Sequence, residues 1–421
     1  MSASQPILLY AELLSNIRQV SIGCSLHSPS SSDTQVIVSP DGLEFTVNHD
    51  GIKTSIRLPA CVSSPQKLSV QNLDTKSLSW RLPLSSTLGQ SREFLNASEE
   101  QAIPWSASDL QSESPIACRT CHAAIVESGH IKVWKDLPSE NWAEMMEFWH
   151  CHKPHDHGHG HGDDLTSKGY GASSRISAQS GVGFVDLTSF LLSETDISMS
   201  AITHSPPSLE SHNRIDDPDK KPQNDESHDL QVTNLPVFCS NCHNQCGVMD
   251  SQGSSASFSL FKWQVHVNEK TLSDSEILPT LSHCVSAMLL ATRARSGCSK
   301  SIMIPMKQQA PPTQGIPPVN SITESESLLN IWVWNTSITF SSSMEARSPI
   351  KAMKVFYRMV GQDEANKMLD SMTSDVQDIT LPADVINTII HILRSSSPLL
   401  PQSNQQYLNW TVGLLEKWEE R

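Results

Sequence analysis

The sequence predicts an α+β chain with an N-terminal antiparallel β domain, a middle region built on paired cysteines and split by long polar inserts, and an α+β C-terminal domain. Three observations carry this. Apolar and polar residues alternate through the first hundred positions, the period of half-buried strands. Two Cys-x-x-Cys pairs punctuate the middle. In the last third, helix-period runs return beside strand-like ones. The boundaries follow composition: a β-rich domain over 1–95, a Ser/Pro/Glu linker over 96–115, a cysteine region over 116–250, and an α+β region over 251–421. Within the cysteine region, about 153–180 and 195–234 are polar, Gly/Ser- or Pro-rich, and expected to be disordered inserts.

Val36-Ile37-Val38 leads into Pro40-Asp41-Gly42, a turn by its chemistry. Leu43, Phe45 and Val47, then Ile52, Thr54, Ile56 and Leu58, alternate on either side of Asn48-His49-Asp50-Gly51, which predicts a β-hairpin with a four-residue loop. Leu68–Val70 and Leu78–Leu82 add shorter strands. Pro138-Ser139-Glu140 starts a helix, and Trp142, Met145, Met146 and Trp149 line one of its faces. Val182 to Leu192 is a short apolar element. In the last third, Phe258–Val267 reads as strand, Thr280–Arg295 as helix, and Ile331–Phe340 as strand. Ile350, Met353, Tyr357 and Val360 predict a helix that Gly361 ends. Leu381-Pro382-Ala383-Asp384 opens another, burying Val385, Ile386, Ile389, Ile390 and Leu393, and the alternation around Tyr407–Val412 predicts a closing strand.

Composition narrows the function classes. Only 38% of the 421 residues are hydrophobic and 25 are proline, so polar sequence is abundant. No apolar run reaches the roughly 18 residues of a membrane span. The N-terminus lacks a basic start and an apolar stretch, so no secretory signal is expected. A net charge of −15 argues against nucleic acid as a partner. Ten cysteines without a signal read as thiols or metal ligands in a reducing compartment, cytoplasmic or nuclear. No phosphate-binding glycine loop, GxSxG or HExxH is present.

The Cys-x-x-Cys pairs, Cys118/Cys121 and Cys239/Cys242, carry the strongest chemistry. Two thiolates on one tight turn can both reach a tetrahedral zinc about 2.3 Å away, and two such turns complete a structural four-sulfur site. The usual gap is about 15–20 residues; here more than a hundred intervene, which a slowly growing loop-closure entropy tolerates. Other pairings remain open: Cys118 and Cys121 with Cys151 and His152, leaving Cys239, Cys242 and Cys246 with His243. The tract His155–His161 has incidental metal affinity, but its glycines cannot fix a geometry. The Trp142/Met145/Met146/Trp149 stripe is either core or an adaptable partner groove, and Trp332 with Trp334 reads as core. Cys151, between His150 and His152, is the candidate for an activated thiol. Cys284 reads as core, and Cys298 sits in a turn.

Cys118-Arg-Thr-Cys121, Leu137-Pro-Ser-Glu-Asn-Trp142, Trp149-His-Cys-His152, Cys239-Ser-Asn-Cys242, Trp332-Val-Trp-Asn335 and Ala352-Met-Lys-Val-Phe-Tyr357 occur in an order that resembles the ubiquitin-conjugating-enzyme-binding family with a HECT-like C-terminal region. The resemblance implies a ubiquitin ligase whose partners are a ubiquitin-conjugating enzyme, ubiquitin and a protein substrate, with 251–421 as the HECT-like part. It also implies a late cysteine, where this chain has Val385. No cysteine follows Cys298. A thioester relay in the last hundred residues is therefore chemically excluded, since only a thiolate is both nucleophile and leaving group enough. Covalent transfer would need Cys151, Cys284 or Cys298; otherwise the protein acts by positioning the donor. A non-catalytic adaptor or assembly factor that binds and stabilises protein partners is the alternative.

Overall fold

The computed structural model describes residues 7–70, 73–85, 103–137, 177–204, 234–251, 255–267, 278–306, 327–345, 349–371 and 375–419. The chain divides into two compact units, one of residues 1–103, 281–306 and 315–421, the other of 104–280 and 307–314. Strands dominate both.

In the first unit, nine strands among the described residues form one sheet. Leu8–Leu14 pairs antiparallel with Gln19–Ser25 on one side and with Leu328–Ser342 on the other. The linear division of the sequence into 1–95 and 251–421 is therefore corrected: strands from both ends share this sheet. The cause is burial on both faces. Leu9 and Ala11 face one core while Tyr10 faces another, so the run Leu-Leu-Tyr-Ala-Glu-Leu-Leu shows no alternation to mark its partner. Tyr10 donates its hydroxyl proton to Glu12 (2.7 Å), and Lys354 pairs with the same carboxylate, Glu12 being 8% exposed.

A second sheet of four strands packs Val36, Val38, Phe45, Val47 and Ile56 into the core shared with Val20, Ile22 and Trp80. Its hairpin joins Glu44–His49 to Ile52–Arg57. The loop is two residues, not four, because His49 pairs with Ile52. Asp50 and Gly51 both have positive φ (51° and 76°), the backbone a two-residue hairpin requires.

Among the described residues three α-helices complete this unit: α1 (Leu281–Ser296), α2 (Gln362–Leu369) and α3 (Ala383–Ser396). The buried face of α3 is Val385, Ile386, Ile389, Ile390 and Leu393, as the sequence period predicts. It lies close on the strand Trp410–Glu416: a Cβ at Gly413 would come within 2.8 Å of Leu393. The segment Ile350–Val360 is a strand rather than a helix. Six of its eleven residues are buried, on both faces, and that density mimics helical spacing. Gly361 accordingly caps the start of α2 instead of ending a helix.

The second unit contains a seven-stranded sheet and a three-stranded one among its described residues. Both contribute to one core, which includes Ile116, Ile125, Phe190, Leu192, Val237, Phe258, Leu260 and Val265. Lys262 is fully buried in this unit. Its ammonium donates to the carbonyls of Pro104 (2.6 Å) and Trp105 (3.1 Å) and lies 5.6 Å from the centre of the Phe190 ring. The element expected at 182–192 is two strands, Val182–Val185 and Ser189–Ser193. Part of the stretch expected to be an unstructured insert is ordered: 195–204 makes short helical turns and the strand Ile202–Thr203. No helix among the described residues is long and apolar enough to cross a membrane.

Candidate metal centre

Each Cys-x-x-Cys pair occupies the loop of a β-hairpin in the second unit. Cys118 ends the strand Ile116–Cys118, which pairs with Ala124–Val126. Cys239 ends Leu235–Cys239, which pairs with Gln245–Asp250. The two loops are built alike. The amide of Cys118 donates to Ala123 and that of His122 to Cys118 (2.8 and 2.9 Å); Cys239 donates to Asn244 and His243 to Cys239 (2.9 and 2.8 Å). In both, the residue after the second cysteine is left-handed, His122 and His243 each with φ 59°. A shared Cys-x-x-Cys-His pattern is the sequence signal for this equivalence, histidine being one of the non-glycine residues that more readily adopt the left-handed region.

The hairpins bring the four sulfurs together, all within 4.8 Å of one another. Cys118 Sγ lies 3.5 Å from Cys242 Sγ, and Cys121 Sγ 3.5 Å from Cys239 Sγ. A tetrahedron with 2.3 Å metal–sulfur arms has edges of about 3.8 Å, so the cluster could hold a metal ion with little adjustment. Cys118 and Cys239 are buried, while Cys121 and Cys242 are partly exposed. Asn244 hydrogen-bonds Thr120, tying one loop to the other.

Burial raises the Cys118 and Cys239 thiols above their ordinary value, against amide hydrogen bonds from Cys121 and Thr120 to the first and from Cys242 and Asn241 to the second. Cys242 is raised as well, chiefly by burial. At Cys121 burial is outweighed: the Ala123 amide, the Asn241 side chain and the neighbouring sulfurs lower it to about 6. Cys246 is buried beside the cluster, its thiol driven far up by burial, and its Sγ donates to the Asn244 carbonyl at 3.5 Å. It is not one of the four grouped sulfurs, nor is His243.

The remaining sequence-derived candidates fare differently. Trp142, Met145, Met146, Trp149, Cys151, His152 and the His155–His161 tract lie outside the described residues. Cys284 is fully buried in α1, and Cys298 is half-buried in the turn after it. Val385 is 4% exposed on the core side of α3. Trp332 is half-buried, but Trp334 is 53% exposed rather than core. Trp334 stacks on Phe356, which stacks on the half-exposed Tyr407.

A family model described as HECT-like ubiquitin-conjugating enzyme (E2)-binding matches residues 12–412. The chain belongs to this family. That description sets its partner class as a ubiquitin-conjugating enzyme, and the match runs through both units. Two yeast relatives are similar. The chain is 23% identical over 337 residues to the uncharacterized protein C1734.10c of Schizosaccharomyces pombe, covering 77% of this chain and 80% of that one. It is 42% identical over 52 residues to the uncharacterized protein YJR141W of Saccharomyces cerevisiae, covering 12% of this chain and 15% of that one. No solved structure matches the chain.

Proposed function

We propose that this E2-binding family member is a cytoplasmic or nuclear ubiquitin-protein ligase that promotes transfer by positioning a charged ubiquitin-conjugating enzyme, with zinc on Cys118, Cys121, Cys239 and Cys242 as a structural scaffold. The family match across 12–412 carries the reading. Four soft thiolates at tetrahedral spacing favour zinc over hard cations. With all four positions filled by sulfur, such an ion folds the unit and offers no open site for chemistry. The sequence stripe Trp142/Met145/Met146/Trp149 supplies the aromatic and methionine side chains common at partner-binding hot spots.

Positioning fits the cysteine inventory. No cysteine follows Cys298, and Cys284 is buried too deeply to accept ubiquitin. In a positioned transfer, the substrate lysine amine attacks the thioester carbonyl on the conjugating enzyme. The C–N bond forms, the C–S bond breaks, the enzyme's thiolate leaves, and the amine proton passes to solvent. The ligase contributes proximity and orientation.

Reconstitution with activating enzyme, conjugating enzyme, ubiquitin and ATP tests this. The expected result is ubiquitination of the chain itself and faster discharge of the conjugating enzyme. Binding with no change in discharge favours the adaptor reading instead. A reducible ubiquitin adduct lost in Cys151→Ser would replace positioning with a covalent relay.

A further inference from the structure

The first unit holds a second cluster of metal-ligating type, remote in sequence from the four grouped cysteines. His27 follows the strand Gln19–Ser25, and His49-Asp50 forms the end of the Glu44–His49 strand and the start of its tight turn. The turn fixes Asp50 in the left-handed region, which swings its carboxylate back toward the two imidazoles. His27 Nε2 lies 3.4 Å and His49 Nε2 3.3 Å from Asp50 Oδ2, and the three ligand atoms fall within 4.8 Å of one another.

Those spacings match a metal site. Metal–nitrogen and metal–oxygen bonds of about 2.0–2.1 Å give tetrahedral edges of about 3.3 Å. His49 is also oriented as a ligand is. It is 1% exposed, and its Nδ1 meets Thr34 Oγ1 at 2.9 Å, while Thr34 accepts the Ser31 amide at 3.0 Å. A hydrogen bond at the far nitrogen fixes ring orientation and leaves Nε2 to face the site. Ser28 Oγ stands at the same mouth, 2.8 Å from His49 Nε2 and 2.5 Å from Asp50 Oδ2. With the His49 proton on Nδ1, the single Ser28 hydroxyl proton faces both Nε2 and the carboxylate, and a cation would satisfy the two together.

We propose that His27, His49 and Asp50 bind a divalent transition-metal ion of the zinc class, with Ser28 or water at the fourth position. Two imidazoles and one carboxylate suit zinc better than calcium or magnesium. The site is independent of the four cysteines: it lies in the other unit and uses nitrogen and oxygen donors only.

The test uses the full chain with His155, His157, His159 and His161 replaced by Asn, so that the tract cannot contribute metal. Zinc content after dialysis against limiting free zinc should be about two ions per chain, falling to about one in His27→Ala and in Asp50→Asn. Both residues reach the surface, and matched melting curves of the metal-stripped proteins would show that the fold survives. Zinc K-edge absorption on the unsubstituted cluster should show nitrogen or oxygen neighbours beside sulfur. An all-sulfur shell, or a zinc content equal in parent and both variants, overturns the proposal. A shell of nitrogen and oxygen alone would uphold it while refuting the four-sulfur site, so the two claims fail separately.

Discussion

Replacing Cys239 by Ser tests the four-sulfur cluster at its most consequential point. Cys121 and Cys239 are 118 positions apart, so a metal joining their loops closes a long segment of the unfolded chain. The loop-entropy relation for a cross-link of that length gives about 5 kcal/mol at 25 °C. That is a third or more of the stability of an ordinary domain. Serine leaves three sulfurs and a poor ligand, so the closure is lost with the metal. Urea unfolding followed by fluorescence, with Trp105, Trp134 and Trp263 buried in this unit, should show its midpoint fall sharply. Hydrogen exchange should localise the loss to Ile116–Cys118 and Leu235–Cys239. A Cys118→Ser/Cys239→Ser double variant should lose little more than either single one, because one closure is broken only once. Unchanged zinc content and an unchanged midpoint in Cys239→Ser would mean that no metal joins the two loops.

Three further outcomes follow from buried groups. Glu12→Gln should destabilise the first unit by about 3 kcal/mol in denaturant titration, because Lys354 is left mostly buried without its carboxylate; adding Lys354→Met should recover part of the loss. Lys262→Met should destabilise the second unit by about 3 kcal/mol, since the Pro104 and Trp105 carbonyls lose their donor, and the change should appear as lost hydrogen-exchange protection there. Alkylation at pH 8 read by mass spectrometry should label the half-buried Cys61 and Cys298 and spare Cys284 and Cys24, the latter's thiol being pushed up to about 12 by burial.

Local chemistry explains what the sequence reveals about this fold. The hairpin of 43–58 is legible because one face is buried and Asp50-Gly51 can adopt the required turn. Helix α3 is legible because its apolar stripe faces one way. Ile350–Val360 misleads because a strand buried on both faces has no period of its own. The partnership of Leu8–Leu14 with Leu328–Ser342 spans most of the chain and is specified by no local pattern. For the candidate site, spacing within each Cys-x-x-Cys pair marks a metal loop, but only the fold decides which loops meet. His27 and His49 carry no local signal of a site, since a histidine beside a turn has many uses and their meeting depends on the fold.

Ligase action by positioning is tested by single-turnover discharge of a ubiquitin-charged conjugating enzyme onto free lysine, with and without the full chain. Positioned transfer gives faster discharge with the wild-type chain, retained in Cys151→Ser and lost in Trp142→Ala/Trp149→Ala. Discharge unaffected by the wild-type chain, at concentrations where it binds the conjugating enzyme, would contradict it.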